Sequence, residues 1–462
     1  MTGYSRAAMP HLDGHLASVD PLSPAAAFTR LGPVSRRLAT YDAVDQWEVE
    51  TRRLPAPLQR LRRDARAFAL RELRPLAQQT DLAAHAEPGQ LSPALRDLIA
   101  RAGRAGLLGD MLPMPLGSGR PARFRHPIVL QQCIRVEELA RVCGGLMLLL
   151  SANALGAMPI LLSGDPSAIR RFAMPLFRAQ RRGEPRLFAF AITEPGAGSD
   201  AEEGHGARHY KPGVVARRDG DGWRLNGRKV FISGGDIADT LTVFAALEGE
   251  GMESWTCFIV RRGAPGFRAV RNELKMGMRA STASELEFDE VFVPDDHIIG
   301  GLRRGWALNR ATLNLSRMPV GALAVGFAQG ATDLAYDFAC RMRLGGKPLI
   351  HFQEVQLQLA QMTAETSTAR ALIWQSADTW TPRQATASIC KFQATDTAVR
   401  VAEMAMDLLG NHALLHANGA EKVFRDARLT QIFEGTNQIN RLAVIEDFQD
   451  QLLARSTDGA AA

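Results

Sequence analysis

The hydrophobic period of this chain changes twice along its length, and that change limits its possible folds more than any single residue does. From Leu58 onward apolar residues recur at mostly three- and four-residue steps through Leu61, Ala65, Phe68, Leu73 and Leu76, the spacing of one helix face. Helical character continues to about residue 180, with breaks at Pro88–Gly89 and around Pro113–Pro121. From 186 to 300 the pattern becomes short β-rich runs, LFAFAI, WRLNGRKVFIS, TLTVFAAL, WTCFIVRR and ELEFDEVFVP, separated by Gly and Pro clusters. Asn226-Gly227 inside one run reads as a hairpin turn. After Gly305 the helical period returns. Val355, Leu359, Met362, Thr366, Ala369 and Ile373 form one stripe, and Phe392, Thr395, Val399, Ala402, Met406 and Leu409 another, as in a bundle core.

An α+β multi-domain chain follows from this order. The expected parts are an N-terminal arm (1–55), a helical domain (56–185), a central β-sandwich or barrel (186–300), a helical bundle (301–452) and a tail (453–462). The arm is rich in Ala, Pro, Ser and Gly with little periodicity, so it is expected to be mobile or loosely docked.

Composition narrows the partners. Hydrophobic residues make up 46% of 462 residues, enough for a substantial core. Lys plus Arg (55) exceed Asp plus Glu (49), but the excess is almost all Arg and forms no compact patch interleaved with aromatics. No nucleic-acid partner is expected. Five scattered cysteines without a CxxC suit a reducing compartment, and no secretory signal is evident, so a cytoplasmic location is expected. The apolar run from Gly145 to Leu162 is interrupted by Ser151, Asn153, Gly156 and Pro159, which favours a bent, buried helix over a membrane span. His11/His15, His205/His209 and His412/His416 have four-residue spacing but lack a third ligand or the HExxH context, so no metal site is expected.

Four segments carry the chemistry: TEPGAGSD (193–200), RKVFISGG (228–235), KMGMRAS (275–281) and IFEGTNQINRL (432–442). In that order and spacing they resemble the acyl-CoA dehydrogenases, over residues 57–452. The resemblance implies a helical domain, a β-domain and a C-terminal four-helix bundle, with bound FAD and a homotetrameric or dimeric assembly. It also implies an acyl-CoA substrate and an electron-transferring flavoprotein as acceptor.

The resemblance assigns roles by position. Glu434 falls where the family has its base, beside Phe433. A base there needs a carboxyl whose pKa is raised by apolar burial. Its backbone N–H would face the enolate oxygen, and Gly435 would let substrate approach the chain. Some relatives place the base on the first bundle helix instead; that position is Ser316, so Glu434 has no rival carboxylate. On the same helix Asn314 and Arg317 occupy the positions that face CoA. Ile192, Thr193, Gly198 and Ser199 match the loop around the flavin, with Ser199 also near substrate. Phe231 and Ser233 stand where many relatives have Trp and Thr against the ring. Thr436 and Gln438 match contacts to the phosphates and adenine.

Departures from the family cluster at the contacts it makes to a neighbouring subunit's FAD. Gln353 matches, but Met342 and Gly345 replace an Arg and a Phe, with Arg341 and Arg343 adjacent. Asp407 and Asn411 replace a Gln and a Gly. Losing a guanidinium beside a pyrophosphate costs about 1.5–3 kcal/mol. The residues also leave two other readings open: the same desaturation on a carrier-protein-bound acyl group, and a weakly active flavin-binding protein working through macromolecular contacts.

Overall fold

A computed structural model describes residues 30–38, 45–83, 87–199 and 207–459; His11, His15, Asp200 and His205 lie outside them. The main helices of the first part are α1 (Gln46–Arg53), α2 (Ala56–Phe68), α3 (Pro93–Arg104), α4 (Ile128–Ala140), α5 (Gly144–Leu162) and α6 (Met174–Arg181).

The arm boundary needs correction, because α1 lies within the segment read as a loosely docked arm. Its anchors are polar, so no apolar period announced it. Trp47 Nε1 donates to Glu138 Oε1 at 2.6 Å, and Glu50 accepts from Arg370 Nη1 at 3.1 Å. Arg62, fully buried, donates to Glu138 Oε1 at 2.8 Å and reaches Glu50 Oε2 at 3.4 Å. A buried ion network, not a hydrophobic stripe, holds this helix down.

The β-module comprises β1 (Phe188–Ala191), β2 (Val215–Asp219), β3 (Gly222–Ser233), β4 (Thr240–Leu247), β5 (Thr256–Arg261), β6 (Phe267–Asn272), β7 (Ala283–Pro294) and β8 (Ile298–Ile299). These form one mixed sheet in the order β6-β7-β3-β2-β4-β5-β8, with β1 parallel to β4. Alternation divides β4 between two cores. Leu241, Val243 and Ala245 face β3 and β7, while Phe244 and Ala246 face α5 and the helices before β1. That is why every residue of β4 is buried.

Asn226-Gly227 is not a hairpin turn. It lies inside β3, where the register against β7 slips between Leu225 and Gly227. Gly227 has φ 127°, and a Cβ there would sit 2.3 Å from the Gly213 carbonyl oxygen, so glycine serves a bulge under close backbone approach. Asn226 instead pairs across the sheet with the Glu290 side chain at 2.7 Å.

The C-terminal part holds α7 (Gly305–Arg341), the small hairpin β9–β10 (Arg343–Leu344 and Lys347–Pro348), α8 (Gln353–Ala377), α9 (Gln384–Leu409), α10 (Ala420–Thr430) and α11 (Asn437–Gly459). α11 thus continues helically past the expected bundle end at 452. The α8 stripe faces the core as expected, with Leu359, Met362, Thr366, Ala369 and Ile373 buried. The α9 stripe is half right: Thr395, Ala402 and Leu409 are buried as expected, while Phe392, Val399 and Met406 are only half-buried and Ala387, Cys390, Ala394, Ala398, Val401 and Ala405 complete the inner face. Small residues face inward because α7 and α9 approach closely; a Cβ on Gly321 would sit 2.9 Å from the Cys390 carbonyl.

The same device joins the two helical parts. A Cβ on Gly326 of α7 would lie 2.4 Å from the Glu137 carbonyl of α4. The two parts therefore share one apolar core, in which Leu58, Ile134 and Leu146 are buried together with Met318, Phe327 and Val401. α5 is the described helix long and apolar enough to cross a membrane, and 61% of it is buried inside this fold.

Candidate active site

Between α10 and α11 the chain reverses through Gln431–Thr436. Glu434 and Gly435 are both left-handed, with φ 56° and 82°. A left-handed residue with a Cβ is strained and persists only where its surroundings fix it. Two fully buried side chains do so here. Lys391 Nζ donates to the Gly435 carbonyl at 2.6 Å and to Asn437 Oδ1 at 2.8 Å. Asn440 Nδ2 donates to the carbonyls of Gly435 at 2.9 Å and Thr436 at 3.1 Å.

The Glu434 carboxyl projects toward α7 and is half-buried. Ser316 Oγ donates to its Oε2 at 2.6 Å. Burial pushes this carboxyl above the ordinary glutamate value; the Ser316 hydrogen bond and the charges of Arg317 and Lys391 pull against that rise. Arg317 itself is 2% exposed and donates to Ser388 Oγ at 3.1 Å. Asn314 Nδ2 donates to the Pro382 carbonyl at 2.7 Å.

The loop at 192–199 reaches this turn from the β-module. Ser199 Oγ accepts the Thr436 N–H at 2.9 Å, joining segments 237 positions apart. Behind the loop Lys229 Nζ donates to the Ile192 carbonyl at 2.8 Å and to Glu194 Oε1 at 2.7 Å, and Val230 N–H donates to the Thr193 carbonyl at 2.9 Å. Glu194 also accepts from the Gly213 N–H at 2.5 Å and from the Tyr210 hydroxyl. Burial favours the neutral acid at Glu194. The Lys229 charge and these hydrogen bonds overcome it and hold the carboxyl below its usual range.

Phe231 is 60% exposed and left-handed, with φ 58°. An aromatic ring held toward solvent on a strained backbone, beside the half-buried Thr193 and Ser233, suits a flat polar-edged ring system. Thr436 and Gln438 line a groove at the start of α11 with Arg428 and Arg441, where Arg441 Nη2 is 2.7 Å from Asp396 Oδ2. Helix-start N–H groups and two guanidinium groups suit phosphate. The residues present therefore fit a flavin dinucleotide.

The remaining expected residues lie elsewhere. Met342 caps α7, 26 residues beyond Ser316, which is about 39 Å of helix. Gly345 and Gln353 follow on the exposed β9–β10 hairpin and the first turn of α8, and Asp407 and Asn411 lie at the far end of α9. Within one chain none of them joins Glu434. Among the described residues no cluster of His, Cys, Asp and Glu could hold a metal.

Sequence reading missed Lys391, Asn440, Glu194 and Lys229. Three of these, Glu194, Lys229 and Asn440, stood in quoted motifs, and part of the signal was available: a lysine directly before the apolar run Val230–Ile232 needs a partner if the strand is buried.

A helical, β, helical chain with a carboxylate beside a loop and groove that suit a flavin dinucleotide is the arrangement of a flavin-dependent oxidoreductase. Comparison with known proteins agrees. Residues 56–180, 189–291 and 303–448 match the N-terminal, middle and C-terminal domains of acyl-CoA dehydrogenase. Cyclohex-1-ene-1-carbonyl-CoA dehydrogenase of Geobacter metallireducens is 37% identical over 387 residues, 82% of this chain and 94% of that protein. The mitochondrial short-chain specific acyl-CoA dehydrogenase of Mus musculus is 31% identical over 89% of this chain and 95% of its own length. Among solved structures, butyryl-CoA dehydrogenase of Megasphaera elsdenii superimposes with a TM-score of 0.76 at 30% identity, covering 86% of this chain and 99% of that one. This chain belongs to the acyl-CoA dehydrogenase family, FAD-dependent oxidoreductases acting on CH–CH bonds of acyl-CoA thioesters.

Proposed function

We propose that this enzyme desaturates an acyl-CoA thioester between its α and β carbons, with Glu434 as the base. The α-proton passes to the Glu434 carboxylate, a hydride leaves the β-carbon, and a trans-2-enoyl thioester forms. FAD, when bound, supplies the two-electron acceptor for that hydride. One observation carries the reading: a carboxyl of raised proton affinity sits on a fixed turn that is tied through Ser199 to the loop at 192–199. A base works best with a pKa near the operating pH, and burial moves Glu434 in that direction.

The chain's own groups divide the remaining work. The Glu434 N–H faces the developing enolate oxygen, and Gly435 admits the thioester to the backbone. Ile192, Thr193, Gly198, Ser199, Phe231 and Ser233 hold the ring system, and Thr436 and Gln438 hold the phosphates and adenine. Ser199, Asn314 and Arg317 lie on the substrate side. Gln353, too far along the bundle to serve its own site, serves a second chain in a homo-oligomer. An electron-transferring flavoprotein reoxidises the enzyme, in the cytoplasm. A carrier-protein thioester is the second reading, favoured because Asn314 brings no charge to the CoA side and its amide is engaged by Pro382.

The test is anaerobic flavin bleaching with a panel of acyl-CoA and acyl-carrier thioesters. Glu434→Gln should keep the yellow colour and abolish bleaching. A variant that still reduces its flavin at the native rate sinks the assignment.

A further inference from the structure

We propose that Lys391 is a positioning residue for the base, clamping the Glu434–Gly435 turn from below and holding a positive charge beneath the carboxylate. The proposal rests on Glu434 being the base. Lys391 comes from α9, 43 positions before Glu434, and its side chain has no exposure to solvent. Such burial is unusual for lysine, and a burial that costly calls for a function or a strong partner set. Its side chain donates to the turn and to the residue that follows it: 2.6 Å to the Gly435 carbonyl and 2.8 Å to Asn437 Oδ1 at the start of α11.

These bonds act on the two features that make Glu434 usable. The first is conformation. Two successive left-handed residues point the Glu434 side chain toward Ser316, and the Gly435 carbonyl is the atom that any flip of the turn must move. Lys391 and Asn440 both hold that carbonyl. Asn437, which caps the clamp, is itself fixed by Thr395 at 2.9 Å and Asp396 at 2.7 Å. The second feature is charge. The groups facing Glu434 are the Ser316 hydroxyl and Arg317 from α7 and Lys391 from α9. Both cations favour the ionised base against burial. Arg317 spends a hydrogen bond on Ser388, whereas Lys391 is attached to the residue next to the base.

Lys391→Met keeps the length of the side chain and removes donor and charge; Lys391→Arg keeps the charge. The assay follows flavin reduction by a saturating acyl thioester from pH 5 to 10. Infrared difference spectra against Glu434→Gln follow the titration of the carboxyl itself, independently of turnover. Removing a cation favours the protonated acid, so in Lys391→Met the acid limb and the carboxyl titration should both move to higher pH. Reduction at pH 7 should fall roughly tenfold, with flavin content retained. Lys391→Arg should keep the wild-type acid limb. A Met variant whose acid limb and carboxyl titration stay in place, whatever its rate, overturns the proposal. If Lys391→Met cannot hold flavin, Lys391→Gln replaces it with the same expectation, and loss of flavin from both reduces Lys391 to a scaffold residue and overturns the proposal too. A Glu434→Gln variant that still bleaches would instead overturn the functional reading beneath it.

Discussion

Ser316 Oγ lies 2.6 Å from Glu434 Oε2 and donates its proton there. The hydroxyl stands on α7 at the position where some relatives carry a base of their own. Here it fixes one oxygen of the Glu434 carboxyl.

Ser316→Ala removes a hydrogen bond that favours the ionised base. Flavin reduction at pH 6 should slow roughly 3- to 10-fold, the worth of a hydrogen bond to a charged group after solvent screening. The loss should shrink by pH 9, because rising pH itself favours the ionised carboxylate. Equal slowing at both pH values would assign Ser316 to packing alone.

Glu434 also links pH to stability. Its proton is held more tightly in the folded chain than in the unfolded one, because burial opposes the charge. The folding advantage of the protonated acid is complete below the unfolded glutamate value and is lost as pH rises through the folded one. Glu434→Gln, neutral throughout, should therefore melt at a higher temperature than wild type at pH 8, with the gap closing toward pH 4. Calorimetry at both pH values checks this; a gap independent of pH contradicts it.

Lys229→Met should be costly. It strips the fully buried Glu194 of its cation and the Ile192 carbonyl of its donor, and breaking a buried pair typically costs about 3–5 kcal/mol. Adding Glu194→Gln should recover part of the loss, as a double-mutant cycle by chemical denaturation will measure. Strict additivity of the two single losses would remove the pair from the account of the loop.

Phe231→Gly separates strain from cofactor contact. A left-handed position costs a residue with a Cβ about 1–2 kcal/mol, and Phe231 offsets little of this because it is largely exposed. The flavin-free variant should be no less stable than wild type, yet should lose flavin on gel filtration. Retained flavin would exclude Phe231 from the ring site.

Arg370→Met should release α1. Arg370 holds Glu137 at 2.7 Å and Glu50 at 3.1 Å, all three buried, so its loss leaves both carboxylates to the longer contacts of Arg62, 3.4 Å to Glu50 and 3.7 Å to Glu137. Limited proteolysis should then cut within 46–55 faster than in wild type, with a stability loss of about 3–5 kcal/mol. An unchanged digestion pattern would show that the Trp47–Glu138 bond suffices.

The sequence by itself determined the order helical, β, helical, because a period of 3.6 or 2 is a local property of consecutive residues. It also supplied a candidate base, Glu434, and the two segments that Ser199 and Thr436 join. Tertiary structure decided what no local pattern encodes. The bulge at Asn226-Gly227 depends on the close approach of Gly213, and the small inward face of α9 depends on how near α7 comes. The ion-held docking of α1 depends on partners as distant as Arg370. Lys391 and Ser316 meet the Glu434 turn only after two bundle helices have packed against it. A hydrogen bond across elements is fixed by helix spacing and rotation, which are set by the whole core and not by its neighbours in sequence.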